Sequence, residues 1–244
     1  MGFWPFKKRV DSLQKAGLPD GFTDWHSHIL PGVDDGIPSM DQALQVLSTY
    51  ENLGVRKVWL TPHIMEDFPN DPEKLRARFE ELCNEYNGSI QLRLAAENML
   101  DALFEERLEQ GILLPIGEEG KHLLVETSYF SPPMNFDDII DDIFDKDYTP
   151  ILAHPERYRY MNEHDYKRLK KRGILFQINM MSLIGMYGET ARKKAEWLLK
   201  NGMADLTGSD VHRHSALTRG LGESPSNRDS LQHLLHIAHN PALQ

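Results

Sequence analysis

The sequence predicts an α/β fold in which seven short parallel strands alternate with amphipathic helices and close into a single TIM-barrel-like β/α barrel. Three observations carry this expectation. Short apolar runs alternate with segments of helical periodicity along the whole chain, the pattern of a parallel sheet covered by helices. No linker, repeat or low-complexity stretch divides the 244 residues, a length one large domain can fill. The turn after the first strand lacks G-x-G-x-x-G, so nothing favours an open dinucleotide-binding sheet.

The elements follow in order. Gly21-Phe22-Thr23 opens the first strand and Asp24-Trp25-His26-Ser27-His28 continues it. Alternation puts Asp24, His26 and His28 on one side, with Trp25 and Ser27 on the other. Pro31-Gly32 turns the chain and returns Asp34-Asp35-Gly36 toward the histidines. Ser39 suits an N-cap, and Ala43, Leu44, Leu47 and Tyr50 share a helical face up to Gly54. Val55 to Leu60 reads as a strand that ends in Thr61-Pro62-His63. A helix opens at Asp71-Pro72-Glu73, with proline in its first turn, and runs to about Asn87-Gly88. The strand from Ile90 to Ala96 ends in Glu97-Asn98, and a short helix spans Asp101 to Glu109. His122 to Val125 is a strand ending in Glu126-Thr127, followed by a helix from Phe136 to Phe144. Thr149 to Ala153 is a strand ending in His154-Pro155-Glu156-Arg157, and Glu163 to Lys171 is a helix. A strand from Ile174 to Asn179 and a helix from Glu189 to Lys200 come next. The last strand, Met203 to Thr207, leads into Gly208-Ser209-Asp210-Val211-His212, and a helix from Asn227 to His239 closes the chain.

Composition excludes several classes. The hydrophobic fraction of 40% and charged fraction of 26% are those of a soluble globular protein. No apolar run approaches the roughly 18–20 residues of a membrane span. The formal net charge of −10 argues against nucleic acid as the main partner, because phosphate contacts need clustered Lys and Arg. The segment before the first strand, residues 1–20, has its basic residues after the aromatics Phe3, Trp4 and Phe6, the reverse of a secretory signal. It reads as a lead-in to a domain at 21–244, and the expected location is cytoplasmic. Cys83, the one cysteine, fits a reducing compartment and is expected as a small buried hydrophobe.

The chemistry collects at the strand ends. His26 and His28 end the first strand, His63 the second, Glu97 the third, Glu126 the fourth and His154 the fifth, while Asp210 and His212 follow the seventh. In a parallel barrel the C-terminal strand ends converge on one face, where such folds build active sites. Five of the 11 histidines fall there. Singly, each residue has an ordinary reading: a loop carboxylate, a core imidazole, a turn. Their joint placement, with Asp35 added, makes a crowd of histidines and carboxylates that repel one another unless cations are present. Mixed His and carboxylate ligation suits Mn, Fe or Zn rather than Ca or Mg. The crowd is too large for one ion, so two or three are expected, with Glu97 bridging a pair. Arg157, Arg213 and Arg219 lie beside these ends and have the fork geometry that grips phosphate.

At this point the residues resemble a family. Asp24 to Gly36, Thr61-Pro62-His63, Ala96-Glu97, Val125-Glu126, Ala153-His154-Pro155-Glu156-Arg157 and Ser209-Asp210-Val211-His212 resemble the PHP (polymerase and histidinol phosphatase) superfamily. Within it they look most like the bacterial manganese-dependent protein tyrosine phosphatases of capsule and exopolysaccharide operons, over roughly positions 22–220. The resemblance implies a distorted (β/α)7 PHP barrel, a three-metal site with Mn foremost, and hydrolysis of phosphotyrosine on the tail of a partner bacterial tyrosine kinase. Carried over, the metal ligands are His26, His28, Asp35, His63, Glu97, Glu126, His154, Asp210 and His212. The phosphate-binding arginines map to Arg157 and Arg219, with Arg213 as the alternative because the spacing after His212 is longer than usual. Asp24 is expected to support a histidine rather than to ligate. Two other functions fit the same residues: a small-phosphomonoester phosphatase such as histidinol-phosphatase, and a non-catalytic metal-binding regulatory partner of a capsule kinase.

Overall fold

The computed structural model describes residues 10–243. Strands β1 (Thr23–Asp24), β2 (Lys57–Leu60) and β4 (Gln91–Leu94) form one parallel sheet in the order β1-β2-β4. Strands β3 (His63–Ile64), β5 (Glu97–Met99), β6 (His122–Glu126), β7 (Thr149–Ala153), β8 (Leu175–Asn179) and β9 (Leu206–Gly208) form a second, also parallel, in that order. The expected second and third strands are therefore each broken in two. Both breaks lie side by side: Leu60 pairs with Leu94 before them, and His63 with Glu97 after them. Pro62 lacks the N–H that a continuous ladder needs, while its carbonyl still accepts from Glu97 N at 3.1 Å. Beyond β9, an isolated parallel bridge between Ser27 and Val211 joins the far edge to the segment after β1, with His28 N donating to Val211 O at 3.2 Å.

Strands β6 to β9 are buried on both faces, as parallel sheets generally are. Leu123, Val125, Leu152, Phe176 and Ile178 face the larger core shared with the helices. Their neighbours Leu124, Ile151 and Ala153 join Trp25, Trp59, Ala95 and Leu206 in a smaller inner core. With a period of two, the inner row runs from Leu124 to Glu126 in β6 and from Leu175 through Gln177 to Asn179 in β8. It thus turns polar toward the C-terminal ends, and this places the site.

The helices are α1 (Met40–Asn52), α2 (Pro72–Glu85), α3 (Ala102–Gln110), α4 (Phe136–Asp145), α5 (Glu163–Lys171), α6 (Glu189–Lys200), α7 (His214–Gly222) and α8 (Arg228–His239). Caps set their starts: Ser39 accepts from Gln42 N, and Asp71 and Asp101 each accept from two backbone N–H groups. Three sequence expectations change. Helix α7 lies in a stretch to which the sequence assigns no element, and its glycines, Gly220 and Gly222, weaken the helical pattern. Cys83 is exposed rather than buried, because Leu75 and Leu82 carry the buried face of α2. Residues 10–20 are packed, with Leu13 and Leu18 fully buried and Leu13 N bonded to Glu223 O at 3.1 Å. Phe3, Trp4 and Phe6 lie outside the described residues. Among those residues, no helix is long and apolar enough to cross a membrane.

Candidate metal centre

The polar inner rows meet above the inner core. Glu97 sits at the centre, fully buried. Its Oε2 lies 3.0 Å from His26 Nε2, 3.2 Å from His28 Nε2 and 3.2 Å from His63 Nδ1, and its Oε1 lies 2.9 Å from His154 Nε2. Asp210 Oδ1 approaches His26 Nε2 at 3.6 Å, His28 Nε2 at 3.3 Å and His212 Nδ1 at 3.4 Å. Glu126 Oε1 lies 3.0 Å from His63 Nδ1. Among the described residues four groups of three have ligand atoms within 4.8 Å of one another: His28, His63 and His212; His26, His28 and Asp210; His26, Glu97 and His154; and His63, Glu97 and Glu126.

Hydrogen-bond polarity shows what these atoms offer. The Asp210 carboxylate only accepts, so Asn179 donates Nδ2–H to Oδ2 at 2.7 Å. Asn179 Oδ1 then accepts from Gln177 Nε2 at 2.9 Å, and Gln177 Oε1 accepts from His26 Nδ1–H at 2.8 Å. The neutral His26 ring is left with its lone pair on Nε2. His28 donates Nδ1–H to Asp34 Oδ2 at 2.8 Å, leaving its Nε2 lone pair as well. These two Nε2 atoms face each other at 3.1 Å. Two lone pairs held so close need a cation or a proton between them. His63 Nδ1 and Glu126 Oε1 are buried and close, yet neither has a hydrogen bond. Orphaned donors of this kind fit divalent metals, with carboxamide and carboxylate partners fixing the rings behind them. His154 is the exception, because its Nδ1 is buried without a partner. Gln177→Leu removes the group that fixes the His26 tautomer, and metal affinity should fall about 10- to 100-fold; titration of the metal-free chain with Mn measures it.

The backbone is shaped to the site. Among the described residues three non-glycine residues have positive φ, and two of them are His154 (34°) and Asp210 (52°); such strain gathers at functional positions. A Cβ at Gly208 would sit 2.6 Å from His26 Cβ and 2.7 Å from His26 N, so any side chain there displaces the histidine.

Charge follows from burial and neighbours. Burial opposes a charged His26, but Glu97 and Asp210 outweigh it and raise its pKa to about 9. His28 is likewise opposed by burial and lifted well above its ordinary value by Asp34 and Asp210. Glu97, against the pull of burial, is held well below the usual carboxylate range by His26 and His63. Near neutral pH the metal-free cluster therefore holds protons that a cation displaces. For His26 the folded pKa lies above the unfolded 6.5, so its contribution is full below pH 6.5 and lost as pH rises through about 9. Metal affinity, which needs neutral imidazole, rises over the same window. Melts with chelator should lose stability across it, while the increment from added Mn grows.

The cavity over this cluster has a volume of about 480 Å³. Its lining includes Asp35, His63, Tyr129, Arg157, Tyr187 and Arg213. The Arg157 guanidinium lies 4.4 Å from the ring centroids of both Tyr129 and Tyr187, and its Nη1 donates to Asp210 Oδ2 at 2.7 Å.

Several sequence expectations shift here. Asp35 lies at the rim with its side chain 55% exposed, 3.4 Å from His212 Nε2 and 3.7 Å from His63 Nε2, and belongs to none of the four groups. Its neighbour Asp34 is the buried one, accepting from His28 Nδ1, from His63 N at 3.0 Å and from Gly36 N at 2.9 Å. Asp24, the last residue of β1, is fully buried and belongs to none of the four groups; as expected it supports a histidine, its Oδ1 accepting from His26 N at 3.3 Å. It accepts from Tyr50 OH at 2.7 Å, Ser209 N at 2.8 Å and Ser209 Oγ at 2.6 Å, tying β1 to the Asp210 turn. Arg219 is exposed on α7 and does not line the cavity, whereas Arg213 does, with Nη1 bonded to the carbonyls of Asp35 and Gly36. His214, next to this site in sequence, bonds Thr49 Oγ1 through Nε2 at 2.8 Å. Gln177, Asn179, Tyr129 and Tyr187 are not marked by the sequence reading; a strand with polar residues at alternate positions, Gln177 and Asn179, is the signal that could have found the first two.

Fold and donors together define a class: a parallel α/β protein with a buried His and carboxylate cluster at its strand ends. The family described as "Capsular polysaccharide synthesis, CpsB/CapC" matches residues 22–226, and the chain belongs to it. Tyrosine-protein phosphatase CpsB of Streptococcus pneumoniae is 29% identical over 202 residues, covering 78% of this chain and 82% of that one. Tyrosine-protein phosphatase YwqE of Bacillus subtilis is 27% identical over 195 residues, covering 78% and 76%. A crystal structure from a study of YwqE and CpsB, described there as unique metal-dependent tyrosine phosphatases, superposes with a TM-score of 0.73 at 22% identity, covering 91% of this chain and 95% of that one. The phosphotriesterase homology protein of Escherichia coli, with phosphate in its active site, superposes at 0.54 with 14% identity, covering 85% and 88%.

Proposed function

We propose that this protein is a metal-dependent tyrosine phosphatase of capsular polysaccharide synthesis, hydrolysing phosphotyrosine on a protein substrate such as a bacterial tyrosine kinase in the cytoplasm. The observation that carries the reading is the placement of Arg157, stacked on two aromatic rings and paired with Asp210 at the edge of a buried His and carboxylate cluster. The proposed ligands are His26, His28, His63, Glu97, Glu126, His154, Asp210 and His212, with Asp35 at the rim, for two or three ions, Mn foremost. The two sheets are read as one distorted seven-stranded barrel.

Divalent metals, when held by these residues, would supply charge neutralisation and a nucleophile at neutral pH. The chain's own residues do the rest. Arg157 directs its remaining N–H groups at phosphoryl oxygens, a positioning and neutralising role that phosphoryl transfer chiefly requires. Met181, Met186, Ala216 and Leu217 line the cavity beside it and suit an aryl ring better than a polar amine. Glu97 and Asp210 keep the surrounding imidazoles in place. A phenolate leaves without needing a dedicated acid. Side-by-side kcat/KM on a phosphotyrosyl peptide and on histidinol phosphate, with Mn, tests the substrate: the peptide should be preferred, and the reverse order contradicts the reading.

A further inference from the structure

The loop after β6 and the turn after β7 are zipped by two arginine–aromatic pairs. Arg159 N donates to Tyr129 O at 2.8 Å. On one side of this bond Arg157 stacks on Tyr129 within the cavity. On the other side Arg159 stacks on Phe130, its guanidinium 4.9 Å from the ring centroid. The inner pair is enclosed, whereas the outer pair faces solvent: Phe130 is 68% exposed and Arg159 is exposed.

The outer pair is built to be met. Arg157, Arg168, Arg172 and Arg192 each have a carboxylate partner. Among the described residues Arg159 has none, nor do Arg56, Arg76, Arg213, Arg219 and Arg228, but of these Arg159 alone stacks on an aromatic ring, in a chain of net charge −10. An exposed cation without a partner, stacked on an exposed ring, is a complement for an anionic group brought by something else. Pro132-Pro133 restrict the same loop, and Met134 beyond them is fully exposed. The step is continuous with the catalytic cavity, because Tyr129 and Phe130 are adjacent residues and Arg157 and Arg159 are two apart.

We infer that Phe130 and Arg159 form an outer subsite that receives an acidic side chain flanking the phosphotyrosine of a polypeptide substrate. The inference rests on the phosphotyrosine reading above. A phosphotyrosine seated in the cavity obliges its own main chain to cross the rim, and the outer pair lies on that rim. Phe130 packs against the apolar part of the flanking residue, and Arg159 pairs with its carboxylate.

The test uses three phosphotyrosyl peptides with Glu, Gln or Lys beside the phosphotyrosine, together with p-nitrophenyl phosphate, at low ionic strength. The native protein should prefer Glu over Gln and Gln over Lys, by about two- to fivefold in kcat/KM per step, the worth of an exposed ion pair. Arg159→Glu should reverse that order and leave p-nitrophenyl phosphate turnover unchanged. Phe130→Ala should lower kcat/KM for every peptide and not for p-nitrophenyl phosphate. Added salt should flatten the preference. No preference in the native protein, or the same order in Arg159→Glu, overturns the subsite while leaving the phosphatase assignment in place. Turnover of p-nitrophenyl phosphate with none of any peptide removes the substrate assignment and the subsite together.

Discussion

Glu97→Gln is expected to lose bound metal and more than about 100-fold in kcat/KM, beyond the 10- to 100-fold typical of groups behind the ligands. The substitution keeps the shape of the side chain and removes its charge. Glu97 is fully buried, and its two oxygens lie 2.9–3.2 Å from the rings of His26, His28, His63 and His154. A neutral amide at that point leaves four imidazoles without the central anion and presents an NH₂ group to at least one nitrogen lone pair. Cation binding is disfavoured on both counts. Metal content by elemental analysis and activity on a phosphotyrosyl peptide are the measurements. Circular dichroism should show the native secondary structure, because the strands beneath are held by the inner and outer cores rather than by this carboxylate. Full metal content with native turnover would sink the central role given to Glu97.

Arg157→Lys should lower kcat/KM by about 10²–10³, the loss that follows removal of one preorganised donor to developing charge, with metal content unchanged. The charge is kept, so the effect isolates geometry. A guanidinium stacks flat between two rings and presents several N–H groups in a fixed fork, whereas an ammonium does neither. The ring centroids of Tyr129 and Tyr187 each lie 4.4 Å from the guanidinium, Asp210 holds one nitrogen at 2.7 Å, and all three side chains line the cavity with Arg157, so its orientation is restricted there. Arg219→Ala is the matched comparison, since Arg219 is exposed and away from the cavity lining; it should change kcat/KM less than twofold. A large loss in Arg219→Ala with none in Arg157→Lys would exchange the two assignments.

Much of this was legible in the sequence for a geometric reason. Strand ends in a parallel fold converge, so ligand types spread from His26 to His212 could be gathered without knowing any distance. The same logic could not choose between Asp34 and Asp35. One residue of rotation in the turn after Pro31-Gly32 decides which carboxylate is buried against His28, and the close approach of Gly36 to His28 O sets that rotation. Gln177 and Asn179 looked like ordinary strand residues, and only their inward row beneath His26 and Asp210 gives them a purpose. Tyr129 and Tyr187 flank Arg157 from separate loops, a contact that no local pattern encodes. Arg213 and Arg219 differ by less than two helical turns, and the start of α7 at His214 turns one toward the cavity and the other to solvent.

The central claim is that the buried cluster at the strand ends is a metal centre on which phosphotyrosine hydrolysis depends. The most direct measurement strips the purified protein with chelator, counts residual metal, and follows phosphotyrosyl-peptide hydrolysis as Mn is returned. The expected result is no turnover in the stripped chain and recovery that saturates at more than one ion per chain, with His28→Ala failing to recover. Full turnover in chain shown to be free of metal would contradict it.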